Sequence, residues 1–140
     1  MTTATLETPF AKDLVLVGGG HSHALMLRMM GMNPLEGVRV TLISDVAHAP
    51  YSGMLPGLVA GFYSYDDAHI DLRRLCQFAG VRFILAKACG LDLEQKRVLL
   101  EGRSPIGFDI VSLNIGSTPH KIDIPGAEEF AIPAKPVPQL

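Results

Sequence analysis

The sequence contains only two cysteines, no block of like charge and no long apolar run. Cys76 and Cys89 lie thirteen positions apart without a CxxC pair, so we expect two buried, reduced thiols and no disulfide framework or cysteine zinc site. Twelve basic and fourteen acidic side chains give a net charge of -2. The chain therefore lacks the excess of basic residues that is typical of a nucleic-acid-binding protein. Residues 1–13 lack a signal-peptide pattern, and no stretch approaches the roughly 18 apolar residues of a membrane span. These absences argue against a nucleic-acid partner and predict a cytoplasmic protein.

The composition predicts one globular domain. The chain has 140 residues, which is enough for a single hydrophobic core but leaves little room for a second domain. Hydrophobic residues make up 48% and charged residues 19%, as in folded rather than disordered proteins. We expect residues 13–122 to form the domain, residues 1–12 to be a loose N-terminus, and the proline-rich residues 123–140 to be a linker.

Residues 14–43 predict a strand, a helix and a second strand. The run LVLV stops at three glycines and has the character of a buried parallel strand. From Ser22 the sequence is rich in helix formers, and the helix is expected to end at Gly31, ahead of an Asn-Pro stop signal. Residues 38–43 then form the second strand. A right-handed crossover places the two strands in parallel, with the glycines at the carboxyl edge of the sheet, where ligands bind.

The rest of the chain predicts further elements of the same fold class. We expect, in order, an irregular segment at 47–65 with a short helix near 55–60, a helix at 69–79 capped by Asp66 or Asp67 and ended by Gly80, a strand at 81–88, an antiparallel meander at 91–107, and a buried strand at 110–115 stopped by Gly116. The predicted fold is α/β: a Rossmann-like domain with a central parallel sheet, helices on its faces and a small antiparallel meander.

Three consecutive glycines carry the strongest functional signal. Gly18 permits a tight turn from strand to helix, and Gly20 is expected to let main-chain N–H groups approach a pyrophosphate without a Cβ in the way. The helix N-terminus, with Gly19, His21 and Ser22 beside it, then faces the anion. Because this pattern lies between a predicted strand and a predicted helix, it indicates dinucleotide binding rather than a purely structural turn.

Two positions depart from the usual dinucleotide-binding pattern. His23 replaces its third glycine, so either the helix lies further from the strand or the imidazole has a role of its own. The acidic residue expected after the second strand falls on Ser44, with Asp45 next, and either residue or the backbone could hold the ribose. His21 and His23 point in different directions, which argues against a shared metal ion. We expect both imidazoles to pack or hydrogen-bond near the turn, and an imidazole beside a pyrophosphate stays open.

Six strings, in this order, resemble a known family: VLVGGGHSHALMLR, VTLIS, APYSGMLPGLVAGFY, HIDLRRLCQFAGVRFI, FDIVSLNIGSTP and AIPAKPVPQ. They are similar to the N-terminal segment of the FAD domain in the pyridine nucleotide-disulfide oxidoreductase superfamily. The similarity is greatest to its NADH-dehydrogenase-like branch, including the flavoprotein module sometimes fused to selenide, water dikinase. The resemblance runs from about Asp13 to Pro138.

The resemblance implies that FAD is the cofactor and indicates how the chain holds it. Gly18, Gly20 and the following helix would bind the FAD pyrophosphate, and Ser44 stands where the adenosine ribose is usually held. Gly116, in the string IGSTP, marks a second strand end that passes close to FAD. The loop at 51–56 would lie near the isoalloxazine side.

The resemblance also implies that a longer parent protein carries the activity. An inserted domain would bind NAD(P)H, hydride would pass to FAD, and electrons would continue to a quinone or another acceptor. The redox cysteine pair of some members is missing from PYSGMLPG, so direct reoxidation of the flavin is expected. The chain alone would then be an inactive fragment, its partners would be FAD and the missing C-terminal part, and any membrane or quinone contact would belong to the parent. A homo-oligomer stays open.

Two other hypotheses fit the same residues. The chain could be a nicotinamide-binding Rossmann domain, with NAD(H) in the same turn. It could also be a non-catalytic Rossmann-like interaction module that has lost its ligand, because a fold alone does not establish a function.

Overall fold

The computed structural model describes residues 12–117 and 124–131, together with Phe10. In chain order the elements are β1 (Lys12–Val17), α1 (His21–Met32), β2 (Val38–Ser44), β3 (His48–Pro50), a 3-10 turn (Ser52–Met54), α2 (Leu55–Val59), α3 (Tyr65–Ala68), β4 (His69–Asp71), α4 (Leu72–Ala79), β5 (Arg82–Leu85), β6 (Ala88–Asp92), β7 (Arg97–Leu100), β8 (Arg103–Gly107), β9 (Ile110–Leu113) and α5 (Ala127–Phe130). The predicted βαβ unit is confirmed, because β1 and β2 pair in parallel and α1 connects them.

A four-stranded parallel sheet in the order β5-β2-β1-β9 forms the centre of the fold. Residues on one face of the sheet pack with α1 and α4, which bury Leu27 and Leu72 completely. The opposite face packs against the antiparallel sheet β6-β7-β8, which buries Val98. The predicted α/β class and the predicted meander are therefore confirmed, with α1 and α4 sharing one face and the meander on the other.

The register of the sheet places several strand ends at one level. Val17 at the end of β1 pairs with Ile43 of β2 and with Leu113 of β9. Because the strands are parallel, the residues that follow them meet at the carboxyl edge. The glycine turn after β1 therefore lies beside the segments that follow β2 and β9.

The helix predicted at 69–79 begins later than expected. β4 pairs antiparallel with β3, so that His69 opposes Pro50, and α4 starts only at Leu72. The cap is Asp71, whose carboxylate accepts a hydrogen bond from the N–H of Arg74 at 3.1 Å. Asp67 instead closes a capping box around the one-turn helix α3. The predicted end at Gly80 is confirmed, because Gly80 adopts the left-handed conformation at φ 65.

Two predictions of burial are wrong. β9 is the outer strand of the parallel sheet, and the side chains of Ile110 and Leu113 are 59% and 56% exposed. An apolar strand sequence does not reveal whether a neighbour covers its outer side. Of the two free thiols, Cys76 is buried in the core but Cys89 is exposed, because alternate residues of β6 face solvent.

Several predictions concern the ends of the chain. Residues 1–9 and 11 of the predicted loose N-terminus, and residues 118–123 and 132–140 around the predicted linker, lie outside the described residues. Lys12 already belongs to β1, and the described part of the linker forms the single turn α5. Within the described ranges, no helix has the length and apolar character needed to cross a membrane.

Candidate functional site

A cavity of about 570 Å³ opens at the carboxyl edge of the parallel sheet. This volume falls in the range of small-molecule sites. Five stretches at or after the ends of strands line it, together with Ile70 of β4: 17–21 at the end of β1, 43–46 at the end of β2, 49–52 at the end of β3, 86–88 after β5 and 114–117 after β9. The cavity thus occupies the position where open parallel sheets bind their ligands.

The glycine turn is fixed by both neighbouring strands. The N–H of Gly18 donates to the carbonyl of Ile43 at 2.8 Å, and the N–H of Gly20 donates to the carbonyl of Asn114 at 3.1 Å. Gly18 has a φ of 96, which only glycine adopts without strain. A Cβ on Gly20 would overlap Asn114, so glycine is required there by the close approach of the segment after β9. This differs from the predicted reason, which was access for a ligand.

The N-terminus of α1 meets the cavity without a side-chain cap. Gly20 is the N-cap residue, no side chain hydrogen-bonds to the helix end, and its first turn contains no acidic residue. The first N–H groups of a helix have no partner within the helix, and the helix dipole places partial positive charge there. This end of α1 is therefore suited to an anion.

His23 does not line the cavity. Its side chain is 1% exposed and lies between the turn and β9, with Nδ1 at 2.8 Å from the carbonyl oxygen of Gly18 and Nε2 at 2.9 Å from the hydroxyl of Ser112. A carbonyl oxygen only accepts, so Nδ1 carries the proton and Nε2 accepts from the serine hydroxyl. The imidazole thus has the structural role that the sequence left open, and it leaves the cavity free.

His21 takes the opposite direction, toward solvent and the cavity. Its ring stacks on that of Tyr51, with centroids 4.5 Å apart and an interplanar angle of 25°. Both residues line the cavity. The predicted divergence of His21 and His23 is confirmed, and in the described part of the chain no group of three His, Cys, Asp or Glu side chains could hold a metal ion.

The residues at the end of β2, Ser44 and Asp45, differ in their freedom to bind a ribose. The Ser44 hydroxyl donates to the carbonyl of Val46 at 2.8 Å and accepts from the N–H of Val46 at 3.2 Å, so its proton is already engaged. Asp45 is exposed at the cavity. A carboxylate accepts hydrogen bonds from hydroxyl groups, and Asp45 is therefore better placed than Ser44 to hold a ribose.

A basic side chain that the sequence did not single out lies at the same edge. Lys87 lines the cavity and forms an ion pair with Glu101 at 2.8 Å. The hydrogen bond that the Lys87 ammonium donates to this carboxylate, together with the negative charge of the carboxylate, raises the pKa of Lys87. Lys87 follows β5 in the structure but lies within the strand predicted at 81–88, so the longer predicted strand concealed its place at the cavity.

The structure brings together most of the predicted site residues. Those that line the cavity are Gly18, Gly19, Gly20, His21, Ser44, Asp45 and Gly116, and those that do not are Ser22 and His23. Tyr51 and Ser52, from the loop predicted to lie near the ligand, also line it. Asn114 was missed because the strand was predicted to run through 115, whereas β9 ends at Leu113.

The fold and the cavity define a class: a Rossmann-like domain with a glycine turn at the carboxyl edge of a parallel sheet. No family model matches the chain, but individual proteins do. The chain is 29% identical over 129 residues, or 91% of its length, to the NADH dehydrogenase-like protein YutJ of Bacillus subtilis. It is also similar to the structure of the sulfide:quinone oxidoreductase of Aquifex aeolicus, with 26% identity over 85% of this chain and a TM-score of 0.70.

A more distant likeness supports the fold alone. The structure of NDH2 from Plasmodium falciparum in complex with NADH matches 86% of this chain with a TM-score of 0.72 and 16% identity. The predicted resemblance to the pyridine nucleotide-disulfide oxidoreductases, and to their NADH-dehydrogenase-like branch, is confirmed by these comparisons. The likeness to the module fused to selenide, water dikinase stays a prediction.

The chain is much shorter than these proteins. It spans 36% of the length of YutJ and 27% of the sulfide:quinone oxidoreductase structure. The comparisons therefore concern one part of each relative.

Proposed function

We propose that this chain is the FAD-binding segment of an NAD(P)H-dependent flavoprotein oxidoreductase. The observation that carries the proposal is the cavity at the sheet edge, where the uncapped N-terminus of α1 meets the glycine turn. The likeness to an NADH dehydrogenase-like protein and to a sulfide:quinone oxidoreductase supports the class of reaction. The choice of FAD rests on the resemblance of the sequence strings to the FAD domain.

The residues around the cavity fit a dinucleotide. The pyrophosphate would lie against the N-terminus of α1, where N–H groups and the helix dipole favour an anion. Asp45 would accept hydrogen bonds from the ribose of the adenosine part, a role that an acidic residue after the second strand has in this class of fold. His23 leaves this space free because it is buried behind the turn.

In the parent protein, FAD would accept hydride from NAD(P)H and pass electrons to a quinone or another acceptor. The part of the chain described here would bind and orient the cofactor. Neither Cys76 nor Cys89 is among the residues that line the cavity, and burial raises the pKa of the Cys76 thiol to about 11. Neither thiol of this chain is therefore placed to act on a ligand in the cavity.

Titration with FAD tests the proposal. Since the sequence contains no tryptophan, the fluorescence of the flavin itself is the suitable signal. FAD that binds only the folded chain should also stabilise it, by about 2.7 kcal/mol at a concentration 100 times its Kd. No binding and no stabilisation, even at high FAD, would refute the proposal for this chain. Tighter binding of NADH than of FAD would favour the nicotinamide-binding alternative.

A pair of variants locates the binding site. Asp45→Ala should weaken FAD binding about tenfold, because a ribose hydroxyl loses a charged acceptor. Asp66→Ala removes a carboxylate from α3, outside the residues that line the cavity, and should leave the affinity unchanged. Equal effects of the two substitutions would show that FAD binds elsewhere. The proposal also implies that the parent protein contains a second glycine-rich βαβ unit, which would bind NAD(P)H.

A further inference from the structure

The hydroxyl of Ser44 is a buried polar group beside the cavity, and the function proposed above does not use it. Ser44 is the last residue of β2 and is 2% exposed. Its hydroxyl donates to the carbonyl oxygen of Val46 at 2.8 Å and accepts from the N–H of the same residue at 3.2 Å. One hydroxyl therefore holds both main-chain polar groups of Val46, and the residue enclosed between the two is Asp45.

Ser44 is itself anchored in the centre of the fold. Its carbonyl accepts a hydrogen bond from the N–H of Ala86 at 2.9 Å, and it pairs with Leu85 of β5. The hydroxyl also lies under the glycine turn, because a Cβ on Gly19 would come within 3.3 Å of its oxygen. Central strands are the part of a fold that opens least. The hydroxyl thus ties residues 45 and 46 to a fixed point.

Asp45 needs this support because its own side chain is exposed at the cavity. Lys87 lines the same edge but is paired with Glu101 at 2.8 Å, and within the described ranges no ion pair joins Lys87 to Asp45. A side chain or turn that becomes ordered only when a ligand binds reduces the affinity by its loss of entropy. A main chain held in advance at Asp45 keeps the carboxylate on the cavity side and lowers that loss.

We propose that Ser44 is the positioning residue for the ribose contact: its hydroxyl fixes the main chain around Asp45 and so directs the carboxylate toward the ribose hydroxyls of an adenine nucleotide. Because its proton is engaged and its side chain is buried, Ser44 acts through Asp45 rather than by direct contact with the ligand. This role rests on the dinucleotide site proposed above, but not on the flavin. ADP, which carries the adenosine and two phosphates without the flavin, is therefore the test ligand beside FAD.

The test compares the dissociation constants of ADP and of 2′,3′-dideoxy-ADP, which lacks both ribose hydroxyls, by calorimetry. The ratio of the two constants isolates the ribose contact from the contacts of the adenine and the phosphates. In the unmodified chain the dideoxy ligand should bind about tenfold more weakly, as expected for the loss of a hydrogen bond to a carboxylate. Asp45→Ala should reduce the ratio to about one. Ser44→Ala should reduce it to about threefold, because the turn must then be ordered on binding.

Two further variants show whether the effect belongs to this hydroxyl. Ser64→Ala is the matched control, because it removes a hydroxyl that also makes two local hydrogen bonds, both to Asp67, but caps α3 outside the residues that line the cavity. It should keep the tenfold ratio. Ser44→Cys, which keeps a weaker donor and acceptor, should give a ratio between those of Ser44→Ala and the unmodified chain. Urea unfolding of each variant confirms that it is folded before the titration.

The double variant Ser44→Ala/Asp45→Ala separates positioning from direct contact. If Ser44 acts through Asp45, the double variant should bind ADP as Asp45→Ala does. A further loss of affinity in the double variant, an unchanged ratio in Ser44→Ala, or no binding of ADP to the unmodified chain overturns the positioning role. If FAD binds and only the ratio in Ser44→Ala is unchanged, the proposed function stands without this role. If ADP binds with the expected ratios and FAD does not bind, the flavin function is wrong and the role of Ser44 stands.

Discussion

Replacing the buried His23 with alanine should destabilise the fold strongly. The imidazole is 1% exposed and joins the carbonyl of Gly18 to the hydroxyl of Ser112. Its loss leaves two partly buried polar groups, the Gly18 carbonyl and the Ser112 hydroxyl, without this partner, and opens a cavity of the size of the ring. The loss of each hydrogen bond costs about 1 kcal/mol, and the cavity adds a similar amount. We therefore expect a loss of about 3 kcal/mol, a large part of the stability of a domain.

Urea unfolding, followed by circular dichroism, measures this loss as a change in midpoint at an unchanged slope. His21→Ala, two residues away on the exposed side of the helix start, is the matched control and should change stability by less than about 0.5 kcal/mol. Ser112→Ala removes one of the two hydrogen bonds and should cost about 1 kcal/mol. The double variant should cost less than the sum of the single ones, because the two side chains share an interaction.

The glycine that usually stands at this position gives a sharper test. If the helix could simply move closer to the strand, His23→Gly would restore the usual packing and cost little. We expect the opposite, a loss at least as large as that of His23→Ala, because glycine leaves the same gap and adds about 1 kcal/mol of helix destabilisation. A His23→Gly chain as stable as the unmodified one would refute the view that the imidazole holds the turn and β9 together.

Three further predictions concern other parts of the chain. Gly20→Ala should prevent formation of the native turn and abolish FAD binding, because a Cβ at this position would overlap Asn114. Circular dichroism measures the first loss and the flavin titration the second. The hydrogen bond and charge of Arg39 hold the pKa of Asp13 below its usual 3.8. The Asp13–Arg39 ion pair therefore contributes to the free energy of unfolding above about pH 4, and this contribution is lost as the pH falls through the lowered pKa of Asp13 in the folded protein. Asp13→Asn should accordingly cost about 1 kcal/mol at pH 7 and little at pH 2 in urea unfolding. A thiol reagent at pH 8 should label Cys89 quickly and Cys76 only on unfolding, because burial raises the pKa of Cys76 to about 11.

Local patterns were sufficient to predict the parts of the fold that depend on neighbours in sequence. The run of leucine and valine before three glycines predicted β1 and the turn, and Gly80 predicted the end of α4. The start of α4 could not be predicted in this way, because residues 69–71 form β4 only through pairing with β3, about twenty residues earlier. A local helix pattern was overridden there by a long-range strand contact.

The site shows the same division. The positions of the glycines and of Asp45 followed from the order of strand, turn and helix. The role of His23 did not, since its partner Ser112 lies 89 residues away. The space around Gly20 is likewise decided by Asn114, which reaches the turn only because β9 lies next to β1. Contacts of this kind depend on the order of strands in the sheet, which no local pattern contains.

The two main-chain hydrogen bonds that fasten the glycine turn have a consequence for motion. Because the N–H groups of Gly18 and Gly20 are hydrogen-bonded to Ile43 of β2 and to Asn114 just after β9, the turn can open only when the sheet itself separates. Its amide hydrogens should therefore exchange with solvent as slowly as those of the central strands, unlike those of an ordinary surface loop. A ligand that arrives at this turn meets a surface already in its final shape, so the ordering cost of binding falls on the ligand rather than on the protein.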